Sequence, residues 1–380
     1  MKITEVRPYV VTRYYDGSLR NPLHSWSGKS YLLVSVHTED GSFGLGEMFL
    51  DGQSSPRVLE IFVCEEVAPL VIGEDAQAIG AIRQRVARRM SLRGNAGALS
   101  CAMSAIDIAL WDLLGKATGL PIWKVMGGCL DRVQVYASGG MYGASITPSS
   151  LASDMSRAMA AGLGGAKIKA AGATLGEDIE RITAVREAIG PGKRLMIDAM
   201  FVPDLPAAIR LAKAIEPYDI YFLEAPTDPR DLRGWGAIRQ ATGIPLAGPE
   251  LQWSADVMRD FLTADAVQFL QFDVTLAGGL SQGRDLAALA RSFHRTVTLH
   301  CSTSAIGTAA SAQLAAAVPN CNSVEYHAMH HGLHGRLFSS GWRFENGALV
   351  IPDRPGLGLD FTVADLAGLR TMHCDESPIN

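Results

Sequence analysis

Residues 165–170, GAKIKA, and residues 194–200, RLMIDAM, are short β-rich runs separated by an amphipathic stretch, and the repetition of that unit decides the fold. The same texture recurs in VQVYAS (133–138), IYFLEA (220–225), IPLAGPE (244–250), AVQFLQFD (266–273), TVTLHC (296–301) and NSVEYH (322–327). Eight strands in about 200 residues with helices between them predict a parallel α/β barrel. A doubly wound open sheet is the alternative. It needs a glycine-rich phosphate loop after an early strand, and GLGGAK (162–167) precedes its strand.

Almost every run ends in an ionisable residue: Lys167 and Lys169, then Asp198, Glu224, Glu250, Asp273, His300 and Glu325. From Asp198 onward the intervals are 224−198=26, 250−224=26, 273−250=23, 300−273=27 and 325−300=25, the length of one strand–helix unit. The C-terminal strand ends of such a barrel ring one pocket, so these side chains are expected to converge. A single charge at a strand end is often only a cap for the next helix. Six or more in register are not explained that way.

Asp198, Glu224 and Glu250 offer hard oxygen ligands without Cys or His, which suits Mg²⁺ rather than zinc. Alternation along Lys167-Ile168-Lys169 sends both ammonium groups to one face, where each is expected to disfavour protonation of the other and bring one toward the range of a general base. Asp273 and His300 fall on adjacent strands, so the carboxylate can orient the imidazole and raise its basicity. Glu325, if burial keeps it protonated, would donate a hydrogen bond to developing negative charge.

The N-terminal region reads differently. Lys2–Val11 and Tyr31–His37 are apolar runs joined through a loop, and Glu39-Asp40-Gly41 is a turn before Phe43–Glu47. A helical pattern follows from Val58 to about Gly119, which makes residues 1–125 an α+β unit. No stretch is expected to reach the roughly 20 apolar residues of a membrane span, and MKITEVRPYVV lacks the features of a signal peptide. A net charge of −5 with dispersed Lys and Arg gives no footprint for nucleic acid. Six scattered cysteines without CxxC spacing fit reduced thiols and a cytoplasmic location. Cys301, next to His300, reads as a packing residue or a reactive thiol.

These residues together resemble the mandelate racemase-like subgroup of the enolase superfamily, over nearly the whole chain. SAIDIALWDLLGKATGLPIWKVMGG (104–128) is similar to the helix that precedes the barrel in that family, and RPGLGLDF (354–361) to its C-terminal return. The resemblance implies a modified TIM barrel of seven βα units plus a final strand (126–340), an α+β capping domain (1–125), and a segment 341–380 that returns to it. It also implies Lys167 and Lys169 as the second-strand bases, Asp198, Glu224 and Glu250 as Mg²⁺ ligands, Asp273 with His300 as a dyad and Glu325 as an electrophilic acid. A small carboxylate substrate and a homo-oligomer are further implications. Two departures stand out: Asp198-Ala199-Met200 lacks the amide of the subgroup's Asp-x-Asn, and GPE replaces GGE around Glu250.

Removal of a proton α to a carboxylate serves two outcomes, racemisation or epimerisation of a 2-hydroxy acid and dehydration to a 2-keto acid. The segment Tyr14–Tyr31 is the expected specificity loop, and its Arg20, His24 and Lys29 are donors suited to a polyhydroxylated acid. Dehydration of a hexonate or aldarate to a 2-keto-3-deoxy acid is therefore the expected function, with racemisation as the alternative and a non-catalytic sugar-acid binder as the reading from another class. His327, His330, His331 and His334 form a cluster that a second metal would suit, against the plainer reading of loop histidines.

Overall fold

In the computed structural model, which describes residues 1–52, 54–93, 96–202, 204–327 and 333–368, the N-terminal runs pair as a three-stranded antiparallel sheet. Its strands are β1 (Ile3–Arg20), β2 (Ser25–Thr38) and β3 (Phe43–Met48). The expected loop over Tyr14–Tyr31 is instead mostly a two-stranded arm. Thr12 pairs with Ser30, Arg13 with Lys29 and Arg20 with Ser25, with an irregularity between Tyr14 and Leu19. Buried polar residues such as Asn21 and Lys29 interrupt the apolar alternation there, so the pattern did not reveal the strands.

The Ala98–Thr118 helix lies across this sheet. Gly44 and Gly46 of β3 let it approach: a Cβ there would lie 2.0 Å from Ala109 O or 1.8 Å from Ala105 O. This helix is long and apolar enough to cross a membrane, contrary to the sequence expectation, yet most of it is buried inside the protein. Its polar residues are bound within the fold. Ser100 Oγ donates to Leu276 O (2.7 Å), Ser104 Oγ accepts from Gly278 N (2.8 Å), and Asp107 accepts from Ser281 N (2.9 Å).

The eight runs form eight parallel strands: β4 (Arg132–Gly139), β5 (Gly165–Lys169), β6 (Arg194–Asp198), β7 (Ile220–Glu224), β8 (Leu246–Gly248), β9 (Phe269–Phe272), β10 (Thr296–Leu299) and β11 (Cys321–His327). Pairing of β11 with β4 closes the barrel. Seven helices follow the first seven strands, from Pro148–Ala160 to Ala305–Ala317. After β11, the hairpin of β12 (Arg343–Glu345) and β13 (Ala348–Val350) pairs antiparallel with β4, so the C-terminal segment first extends the barrel sheet. It then reaches the capping domain, where Leu357 N donates to Asp112 Oδ1 (2.8 Å) and Gly356 O accepts from Ile122 N (3.0 Å).

Candidate active site

Strand register sets the level of the central charges. Lys169 pairs with Asp198 and Asp198 with Glu224, across β5, β6 and β7. Glu250 joins them two residues beyond β8, and one carboxylate oxygen from each acid lies within 4.8 Å of the others. All three acids are buried. Ala171, Met200 and Ala225, just past these three strands, take left-handed φ values of 66°, 47° and 47°, a conformation costly for residues with a Cβ and concentrated at functional sites.

Three buried carboxylates repel one another, and the electrostatics record it. Both oxygens of Glu250 lack a hydrogen-bond partner, and burial, with Glu224 and Asp198 adding to it, pushes its carboxyl well above the usual range. Burial also pushes Glu224 up to about 7, against the pull of Lys167. Asp198 goes down, because Lys169 and Lys167 outweigh its burial. An all-oxygen donor set with one carboxylate left bare fits a hard divalent cation such as Mg²⁺.

The two lysines part company. Lys167 Nζ donates to both oxygens of Glu224 (2.7 Å each) and lies 3.0 Å from Glu325 Oε1. Burial opposes its charge, but these carboxylates hold the ammonium well above its ordinary value. The expectation that the lysines would weaken each other's charge therefore fails for Lys167, whose nearest charged neighbours are acids. Lys169 pairs with Asp198 and sits 3.2 Å from Met200 Sδ, the side chain that stands where the subgroup's amide would be.

On the far arc, Asp273 Oδ2 lies 2.8 Å from His300 Nδ1, and its other oxygen accepts from Thr275 N (2.8 Å) and Thr275 Oγ1 (2.6 Å). A carboxylate so placed accepts a hydrogen bond from Nδ1–H and fixes that tautomer, leaving Nε2 as the reactive nitrogen. Glu325 accepts from Cys301 N (3.0 Å) and pairs with Lys167. Burial alone would raise its carboxyl; Lys167, foremost among the neighbouring cations, holds it well below the usual range. Glu325 thus accepts from Cys301 N and faces the Lys167 ammonium, where the sequence reading expected a protonated donor. Burial pushes the Cys301 thiol up to about 12, which makes it a packing group rather than a nucleophile.

Lys169, Glu250, His300 and Glu325 line one cavity of about 160 Å³ with His24 and Lys29 of the capping domain. Asn21, which falls in the expected specificity segment, lines it too, as do Asp51, Met200 and His327, which the sequence reading did not assign to it. Period two from Asp198 and from Glu325 pointed to Met200 and His327. Burial pushes the His327 imidazole well below its ordinary value, so it is neutral there. Of the other histidines, His334 stacks on Tyr326 with ring centroids 4.8 Å apart, while His330 and His331 lie outside the described residues. The second-metal reading gains nothing: among the described residues the one metal-ligating group is Asp198, Glu224 and Glu250.

Two specificity candidates are otherwise engaged. Lys29 Nζ, buried, donates to Ser302 O (2.5 Å) and Ser302 Oγ (2.6 Å), and burial lowers its ammonium to about 8 against the pull of Glu47. Arg20 is not among the residues lining the cavity; its Nη1 donates to Gly172 O (2.6 Å) and its guanidinium lies over the Tyr142 ring.

With this geometry in hand, comparison with known proteins is specific. The family model for the mandelate racemase / muconate lactonizing enzyme N-terminal domain matches residues 10–127, and the enolase C-terminal domain-like model matches residues 150–365. Arabinonate dehydratase of Saccharolobus solfataricus is 29% identical over 87% of this chain and 88% of its own. The 3,6-anhydro-alpha-L-galactonate cycloisomerase of Streptomyces coelicolor is 32% identical over 87% of this chain and 89% of its own. Among solved structures, a racemase from Streptomyces coelicolor A3(2) with bound magnesium superposes with a TM-score of 0.88 at 29% identity, covering 97% of this chain and 99% of that one.

Proposed function

The chain belongs to the mandelate racemase / muconate lactonizing enzyme family of the enolase superfamily, and we propose that it dehydrates a sugar acid, an aldonate or aldarate, to a 2-keto-3-deoxy acid. It is an enzyme of the lyase or isomerase kind with Mg²⁺ as cofactor. Asp198, Glu224 and Glu250 would hold the ion, which when bound supplies positive charge to stabilise the negative charge that develops beside the substrate carboxylate.

One observation carries the reading: Lys169 and the Asp273-oriented His300 reach a single cavity from β5 and β10, beside the bare carboxylate of Glu250. One of the two bases takes the α-proton. The bond from the β-carbon to its hydroxyl oxygen then breaks, and the other delivers a proton so that the group leaves as water. The enol that remains gains a proton at C3, loses the proton of its C2 hydroxyl as the C2=O bond forms, and becomes the 2-keto acid. Lys167 and Glu325, 3.0 Å apart, hold each other's charge beside the metal acids.

Asn21, His24 and Asp51 offer polar groups to substrate hydroxyls on a wall that also carries Leu23, Trp26 and Phe49, which supports a hydroxylated acid as substrate. The cycloisomerase relative adds a third outcome beside dehydration and racemisation. Incubation with Mg²⁺ and a panel of acids (arabinonate, xylonate, gluconate, galactarate and mandelate) separates them. A 2-keto product from at least one sugar acid is expected; racemised mandelate with every sugar acid untouched would overturn the reading.

A further inference from the structure

Beyond Lys169 the chain turns sharply, with Ala171 in the left-handed region. Ala171 N donates to Asp178 Oδ2 (2.7 Å), and Gly172 N donates to Tyr142 Oη (3.0 Å). Tyr142 Oη in turn donates to Asp178 Oδ1 (2.5 Å). Burial, reinforced by Asp178, pushes the phenol well above its usual value, so the proton it donates stays in place. A Cβ at Gly172 would lie 2.3 Å from the Tyr142 ring, which shows how closely that ring backs the turn. Gly172 O, the remaining polar atom of the turn's last residue, accepts from Arg20 Nη1 (2.6 Å).

Arg20 comes from the other domain, and it is tied to Tyr142 three times. Its backbone N donates to Tyr142 O (2.8 Å), its O accepts from Tyr142 N (2.8 Å), and its guanidinium lies 4.7 Å from the ring centroid. The next residue, Asn21, and His24 across the turn line the substrate cavity. The hairpin end that meets substrate is therefore bonded, one residue away, to the turn that carries Lys169.

We propose that Tyr142 and Arg20 are positioning residues for Lys169, a clasp through which the seated capping hairpin fixes the base. This rests on Lys169 acting as a base in the reaction proposed above. A reacting group held an ångström out of place can cost on the order of 10²-fold in rate, so loosening the turn should act on the chemical step. A substrate-binding Arg20 would act on KM instead.

The test uses whichever acid of the panel turns over fastest. Tyr142→Phe and Arg20→Ala should lower kcat about tenfold or more with KM within about twofold, and Arg20→Lys, which keeps the charge without the planar fork, should recover part of it. With both C2 epimers of the acid offered in D₂O, Arg20→Ala should slow exchange of the α-hydrogen of the epimer that still exchanges in a His300→Asn background, the one facing Lys169. It should leave exchange unchanged in a Lys169→Ala background. Arg20 is exposed, so its variant carries the test should Tyr142→Phe fail to fold. An inactive Lys169→Ala beside an Arg20→Ala enzyme of unchanged kcat, or equal losses in both backgrounds, would overturn the clasp alone. Undiminished turnover in Lys169→Ala would overturn the base assignment and the clasp with it.

Discussion

After His300 the chain runs into Ser302 and Ser304, and both are gripped by buried residues of the capping sheet. Lys29 takes the carbonyl and hydroxyl of Ser302; Glu47 accepts from Ser304 N (2.8 Å), Ser304 Oγ (2.7 Å) and Gly307 N (2.8 Å). After Lys169 the grip comes from Tyr142 and from Arg20, whose side chain is exposed at the end of the hairpin. A buried donor deprived of its acceptor costs about 1–3 kcal/mol, whereas exposed charged contacts are worth about 0–1 kcal/mol. One interface between two domains thus holds His300 firmly and Lys169 conditionally, through a hairpin that also meets substrate.

The largest effect should erase the difference between the halves, because both serve the acids between them. Excess chelator should abolish turnover and Mg²⁺ restore it, and Glu224→Gln should be inactive, as followed by 2-keto acid formation. Full activity in chelator would remove the metal from the account. Next, Lys169→Ala and His300→Asn should each lower overall dehydration by roughly 10²–10⁴-fold, the usual worth of a general acid or base. Either variant matching wild type in a turnover assay would take that residue out of the reaction.

A smaller effect isolates the His300 clamp. Glu47→Ala leaves buried donors unpaired and should lower the free energy of unfolding by roughly 2–4 kcal/mol, read from urea titrations with Mg²⁺ present. Burial pushes the Glu47 carboxyl up to about 7 from 4.5, so between those values the folded protein binds more protons than the unfolded chain. Its contribution to stability therefore falls as pH rises through that window, and Glu47→Gln should flatten the slope. An unchanged slope would mean that Glu47 does not titrate there. Lys29 gives the weakest and opposite signature. Its ammonium drops to about 8 from 10.5, the unfolded chain binds more protons between the two, and stability should rise with pH there in wild type but not in Lys29→Met.

The barrel was legible because a strand–helix unit has a fixed length, and intervals of 23 to 27 residues carried the acids, Asp273 and His300 to one rim. Periodicity places a residue at a level and on a face; it does not say which charges become neighbours. Hence Lys167 and Glu325 were foreseen as site residues while their pairing with each other, 3.0 Å apart, was not. Arg20 was misassigned for a related reason. Donor-rich composition cannot tell a side chain bound for substrate from one bound for Gly172 of another domain. The apolar run of Ala98–Thr118 was read correctly as a helix, and only its burial distinguishes it from a membrane span.

Proton removal at the α-carbon, served by the metal acids and completed between Lys169 and His300, is tested most directly by running the panel in D₂O with Mg²⁺ and following it by NMR. The account predicts that at least one sugar acid gives a 2-keto-3-deoxy product carrying one solvent deuterium at C3, and that chelator stops its formation. No product from any sugar acid, or the same labelled product at the same rate in chelator, would contradict it.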